Sequence, residues 1–311
     1  MAPLLNPLRF LTGRFLLAWA LLWGVHEPQT QPLELSVSHD NQLILRAPGP
    51  THTWFRLEQT SRFEEWVPLR DSFAWPTALS VDHRQTAFRF YQLIPVPIPE
   101  PPYTIGVVGD STAVGIERFP RVGGWAQRLS TFAREDTRFV MAGEPGLSTK
   151  SFFGSFRERM LTTTTPTVVM VQLGQIDEFN GQPELKSTTL SEYRDHLMAM
   201  IEMIRGWGGI PMLVTPLPSR EFSDEGGLAP YLVERSAEMR SLGEKAGVWV
   251  IDLHQLVSDL YLAATPEDLD HWGYADHYHL SIPGSLAVAE LALRALPPHL
   301  SQLLFQFTPD P

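Results

Sequence analysis

From Tyr103 onward the apolar residues fall into short runs with little polar alternation: "YTIGVVG", "RFVMAG", "PTVVMVQLG", "GIPMLVTPLP" and "VWVIDLH". Strands buried on both faces have this pattern, because neither side of the strand meets water. Between these runs lie segments with helical spacing: "GWAQRLSTFAR", "SEYRDHLMAMIEMIRGW", "APYLVERSAEMRSLGEKAG" and "PGSLAVAELALRAL", the last beginning at Ser281 or at the Pro283 step. Alternation of buried strand and helix predicts a doubly wound parallel α/β sheet. In such sheets ligands bind outside the carboxyl ends of the strands, so the residues that follow each strand are the ones that bear on function.

The chain before Tyr103 has a different period. "LELSV" and "QLILRA" flank the turn residues "HDN". "WFRLEQT" alternates Phe55 and Leu57 with Arg56 and Glu58, and "FRFYQLIPV" is rich in aromatics. Alternation of period two predicts half-buried strands, here in a small antiparallel β module too short for a seven-stranded sandwich. Its aromatics are expected in the core, with glycan binding by exposed rings as the alternative. The module resembles the small fibronectin-like modules appended to secreted bacterial proteins. "PVPIPEPP" after it is stiff and extended. The expected division is 1–30 signal peptide or signal anchor, 31–95 β module, 96–102 linker, 103–300 α/β domain and 301–311 tail.

Composition narrows the chemistry. The chain has 311 residues, a formal charge of -11 and no cysteine. Disulfides, thiolate metal sites and cysteine nucleophiles are excluded. Without a basic run to neutralise phosphates, nucleic acid is not the expected partner. Arg9 and Arg14 precede the apolar run "FLLAWALLWGV", too short to span a bilayer comfortably. This is the layout of an export signal or short anchor. Export is therefore expected, to the periplasm or beyond the cell, with membrane contact only through that segment.

Three strand ends carry candidate chemistry. "GDSTAVG" places Asp110 and Ser111 at a tight strand-to-helix turn, where they either cap the helix or present a hydroxyl and a backbone N–H to a substrate. "AGEPGLSTKSF" follows the second strand with Gly143 and Gly146, and "LGQIDEFN" follows the third with Gly174, Gln175, Asp177 and Asn180. Before the final helix, "YADHYHLSIPG" packs Asp276, His277 and His279 together, with Asp270 and His271 nearby. The cluster is compatible with a proton relay, with metal ligation or with a polar loop. No H-x-x-x-H or H-E-x-x-H helix accompanies it, and metal ligation leaves Ser111 and Gly146 without a role.

Taken in order, "GDS" near the start of the α/β region, the glycine loop, "G-x-x-D" and "D-x-x-H" before the last helix resemble the SGNH (GDSL) hydrolase family. "GDST", "GGWAQRL", "GLSTKSF", "LVTPLPSREF" and "VIDLHQLVSDLY" leading to "DHYHLSIPGSLAVAE" are similar to rhamnogalacturonan acetylesterases within it. The resemblance spans about Tyr103 to Leu296. It implies a three-layer α/β hydrolase with Ser111 as nucleophile, His279 as general base and Asp276 as its orienting acid. No cofactor or metal is implied.

The family's oxyanion hole takes the serine N–H, a glycine N–H and an asparagine amide from "G-x-N-D". Ser111 and Gly146 match the first two; the asparagine position is Ile176, which donates nothing. Three readings stay open: Gln175 or Asn180 supplies the missing amide, the enzyme works with two donors, or catalysis is lost and sugar binding kept; Asp110, Arg220 and His277 are candidate substrate contacts. The expected activity is removal of O-acetyl groups from a pectin-like polysaccharide. The alternatives are a short-chain or lipid ester hydrolase on the same fold, and a catalytically weak glycan-binding protein.

Overall fold

The computed structural model describes residues 34–37, 42–46, 54–60, 67–74, 79–82, 90–178, 186–224 and 226–306. The N-terminal basic and apolar segment, the "HDN" turn and Asn180 lie outside the described residues.

The first strands form two antiparallel three-stranded sheets. One has the order β1–β2–β5, from β1 (Glu34–Val37), β2 (Gln42–Arg46) and β5 (Leu79–Asp82). The other has the order β4–β3–β6, from β3 (Trp54–Thr60), β4 (Val67–Ala74) and β6 (Phe90–Val96). Strands β4 and β5 were not expected from the sequence. Pro68 breaks the pattern of β4, and it is tolerated because β4 is a sheet edge. Phe55 and Leu57 are buried as their alternation predicts; Glu58, expected on the solvent side with Arg56, is buried too, 3.8 Å from the Arg56 guanidinium.

The five predicted buried strands all form. They are β7 (Tyr103–Gly109), β8 (Thr137–Met141), β9 (Val168–Gln172), β10 (Ile210–Val214) and β11 (Trp249–Ile251), all parallel, in the order β11–β10–β9–β7–β8. Side chains alternate across the sheet, so each strand feeds two cores. Ile105, Val107, Val168, Met170, Met212 and Val214 face one of them. There they meet helices α2 (Trp125–Leu129), α8 (Leu253–Ala263), α10 (Ile282–Ala295) and α11 (Pro298–Leu304). Val108, Val169, Val171 and Leu213 face the other, against α3 (Thr149–Phe152), α4 (Phe156–Thr164), α6 (Leu190–Gly206) and α7 (Val233–Ala246). The result is the expected three-layer doubly wound sheet.

Helix α6 shows why the sequence folds this way. Tyr193, Leu197, Met200, Ile201 and Ile204 share one face at helical spacing and are fully buried. Thr189 and Glu192 close a capping box at its start. Helix α7 begins at Val233 rather than Ala229, because Leu232 adopts a left-handed φ of 63° just after Pro230. Helix α11 crosses position 300, where the sequence reading ends the α/β domain, and Leu304 and Phe305 are core residues.

The order of strands fixes the site. From β7 the chain steps outward to β8, then returns across β7 to β9. The crevice beyond the carboxyl ends of β7 and β9 is thus a topological switch point.

Candidate active site

Helix α1 (Ser111–Val114) starts directly after β7, with Ser111 as its first residue. Asp110 caps it, accepting from the Thr112 N–H and hydroxyl, both at 2.8 Å. The turn is close-packed from below. A Cβ at Gly124 would meet the Gly115 nitrogen at 2.3 Å, and one at Gly143 would meet the Gly109 carbonyl at 2.3 Å. These two glycines let the neighbouring segments come up against the turn. Trp125 donates to the buried Gln172 amide oxygen at 3.0 Å, and the Thr112 hydroxyl, whose proton goes to Asp110, lies 3.2 Å from the same oxygen, so the turn packs against the end of β9.

The segment before α10 brings the other two groups. Ser111 Oγ lies 2.9 Å from His279 Nε2, and His279 Nδ1 lies 2.7 Å from Asp276 Oδ2. A carboxylate accepts only, so Nδ1 carries the imidazole proton and the Nε2 lone pair faces the serine hydroxyl. The second carboxylate oxygen, Oδ1, accepts from the backbone N–H groups of Tyr278 and His279, at 2.8 and 2.7 Å. A three-residue spacing is short enough for the acid to fold back onto both the ring and the backbone of its histidine. Burial pushes the Asp276 carboxyl up, but these hydrogen bonds outweigh it and hold the group below the usual carboxylate range. Ser111, Asp276 and His279 thus form one hydrogen-bonded series. His277 is exposed beside it, and its carbonyl accepts from the Arg220 N–H.

Gly146 is at φ 79°, a conformation that glycine adopts without penalty. Neither its N–H nor that of Ser111 has an acceptor among the described residues. Lys186 Nζ donates to the Gly146 carbonyl at 2.8 Å and secures the loop from one side. Asp177 secures it from the other. Its buried carboxylate accepts from the Thr149 N–H at 3.0 Å, from the Thr149 hydroxyl and from Thr188 at 2.9 Å, joining α3 to α5 (Gln175–Glu178). Burial raises the Asp177 pKa; the bonds from Thr149 and Thr188 and the charge of Arg235 offset part of that rise.

Three sequence expectations are corrected here. Gln175 does not offer its amide to an acyl oxygen. Oriented so that each end meets a complementary partner, its nitrogen donates to Asp110 Oδ2 at 2.8 Å and its oxygen accepts from the Leu217 N–H at 3.2 Å. Asp110 is fully buried beneath Ser111 and cannot touch substrate; burial raises its pKa to about 6 against the hydrogen bonds from Thr112. Arg220 does not face outward for a sugar carboxylate, because its guanidinium donates to carbonyls of the 274–279 segment. Ile176 is half-buried on α5 and donates nothing. Among the described residues no three His, Asp or Glu side chains gather as a metal-binding group.

Gln172, Lys186 and the Tyr231–Tyr278 ring pair, whose centroids are 5.2 Å apart with Tyr278 exposed, join the site without having been expected from the sequence. Gln172 alone left a signal, as the one polar residue within "VVMVQL".

A doubly wound sheet with a serine, a histidine and an aspartate in series at its switch point defines the class: an α/β ester hydrolase of the SGNH type. The profile of the GDSL-like Lipase/Acylhydrolase family matches residues 107–285, more than half of the chain, and the protein belongs to that family. It is 26% identical over 212 residues to the rhamnogalacturonan acetylesterase RhgT of Bacillus subtilis (strain 168), covering 63% of this chain and 90% of the relative. The solved YXIM protein of Bacillus subtilis superposes with a TM-score of 0.56 at 19% identity, over 86% of this chain and 82% of that one. That share exceeds what residues 103–306 supply alone, so the likeness reaches into the N-terminal β sheets. Axe2, an acetylxylan esterase from Geobacillus stearothermophilus, superposes with a TM-score of 0.50 at 18% identity, over 62% of this chain and 93% of that one. These two structural likenesses concern the fold.

Proposed function

We propose that the protein is a serine esterase that removes O-acetyl groups from a pectin-like polysaccharide through an acyl-enzyme. The observation that carries this reading is the series Ser111 Oγ to His279 Nε2 at 2.9 Å and His279 Nδ1 to Asp276 at 2.7 Å. As Ser111 Oγ attacks the acetyl carbonyl, its proton passes to Nε2, and Asp276 stabilises the imidazolium. The negative charge that develops on the carbonyl oxygen is met by the free N–H groups of Ser111 and Gly146. Collapse breaks the bond to the sugar oxygen, which takes the proton from Nε2 and departs as the free hydroxyl, leaving acetyl-Ser111. Water then attacks the acyl carbon with His279 as base, releasing acetate and restoring the serine.

A polymeric substrate is supported by the openness of the rim. The Asp276 side chain is 42% exposed and Tyr278 43%, with His277 exposed between them. A long acyl chain would need the opposite, a closed apolar channel. The acetylesterase names of RhgT and Axe2 point to acetylated carbohydrate. Arg9 and Arg14 before Phe15–Val25 support export to where such polymers lie. The test is acetate release from acetylated pectin fragments, acetylated xylan and a lipid ester in parallel. Preference for the pectin fragments is expected; preference for the lipid ester would overturn the substrate class.

A further inference from the structure

We infer that Arg220 is the positioning residue that sets the geometry of the Asp276–His279 pair, a role that rests on the esterase reading of this site. The 274–279 segment has no regular structure of its own, so its backbone groups need partners. Its N–H groups at Tyr278 and His279 turn to the Asp276 carboxylate. Four of its carbonyls are bound by one residue. Arg220 Nη1 donates to the His279 carbonyl at 2.7 Å, and Nη2 donates to the carbonyls of Tyr274, at 3.2 Å, and of Asp276. The Arg220 backbone N–H donates to the His277 carbonyl at 2.9 Å. One residue therefore holds four of the six residues from Tyr274 to His279, including both the acid and the base.

The chemistry suits arginine alone. A guanidinium presents five donors in a rigid plane, whereas an ammonium is a single point with a flexible stem. A guanidinium also carries donors only, which suits a set of carbonyl acceptors. The surroundings are shaped to it. A Cβ on Gly273 would lie 2.5 to 2.7 Å from three guanidinium atoms, so only glycine leaves the clamp its space. Gly273 is at φ −85°, which alanine also adopts, so it is space and not backbone conformation that demands glycine. The Tyr261 phenol, buried on α8, lies against the same guanidinium.

The clamp explains how a reactive pair stays in register while half-exposed. Misplacement by about 1 Å costs on the order of a hundredfold in rate, so loosening the clamp acts on turnover and not on substrate affinity.

The experiment compares wild type with Arg220→Lys, Arg220→Ala and Gly273→Ala, using p-nitrophenyl acetate. Expected for all three is a fall in kcat of about ten- to a hundredfold with KM within about twofold. Guanidinium ion added to Arg220→Ala is expected to restore kcat in part, where sodium chloride of equal ionic strength does not. Melting temperatures identify any variant that fails to fold, and Gly273→Ala, which removes no hydrogen-bonding group, keeps the test open in that event. A second readout does not depend on turnover: the downfield proton resonance of the His279 Nδ1–H···Asp276 bond is expected in wild type and lost in the folded variants. Folded variants that keep wild-type kcat, or that keep this resonance, would overturn the role of Arg220. A wild type that shows the resonance but hydrolyses no ester would instead count against the esterase reading.

Discussion

Ile176→Asn is expected to make the enzyme faster. Position 176 lies between two pinned residues: Gln175, bound to Asp110 and Leu217, and Asp177, bound to Thr149 and Thr188. The helix backbone is thus held from both sides, and a new side chain at 176 enters without moving it. In the proposed oxyanion hole the donors are the N–H groups of Ser111 and Gly146, while Gln175 is occupied beneath Ser111. Losing one oxyanion donor from a complete hole costs about 3–4 kcal/mol. A donor added to a site not built around it regains part of that, about 1–2 kcal/mol, or roughly five- to thirtyfold in kcat. Ile176 is half-buried, so the exchange costs about 1 kcal/mol of stability, which a folded domain tolerates. Steady-state kinetics on p-nitrophenyl acetate, with a melting curve to confirm folding, read the outcome. A rise in kcat with little change in KM is predicted. A folded variant with unchanged or lower kcat would refute the view that the hole lacks a donor at this position.

Two predictions concern pH. Burial holds the Asp110 pKa at about 6 in the fold against 3.8 ordinarily, so the folded protein keeps a proton there that the unfolded chain has released. Stability from this group is therefore greatest below pH 4, falls by about 3 kcal/mol as pH rises to 6, and is level above; urea midpoints of wild type and Asp110→Asn should diverge over that window, and parallel curves would contradict the assignment. His299 is 8% exposed, its ring 4.9 Å from Trp54 of β3 and 6.1 Å from Trp249 of β11. Burial lowers its pKa from 6.5 to about 4, so its contribution is present above pH 6.5 and is lost as pH falls to 4, by about 3 kcal/mol. His299→Phe, which keeps a flat ring between the tryptophans, should flatten the acid limb of the stability curve; an unchanged limb would exclude His299 as its source.

What the sequence disclosed and what it concealed divide along a physical line. The central strands were legible because burial on both faces leaves an unbroken apolar run, as in "VVMV" of β9. Asp276 and His279 were legible because acid and base are three residues apart and their partnership is local. Helix α4 was not legible, since Leu161 is its only fully buried residue and no apolar stripe marks it. Arg220 was legible as a cation but not as a clamp. Its partners are backbone carbonyls 54 to 59 residues away, and carbonyls leave no mark on side-chain identity. Gln175 looked like a spare amide because the demands of buried Asp110 and of the Leu217 N–H become visible only once β7, β9 and β10 lie side by side.

The central claim is that Ser111, activated by His279 and Asp276, carries the acyl group. Mass spectrometry of the enzyme quenched during turnover of p-nitrophenyl acetate tests it most directly. One acetyl group on the peptide containing Ser111 is predicted, absent in Ser111→Ala together with ester hydrolysis. Hydrolysis at the wild-type rate by Ser111→Ala, or an acetyl group stably held on another residue in the productive cycle, would contradict the account.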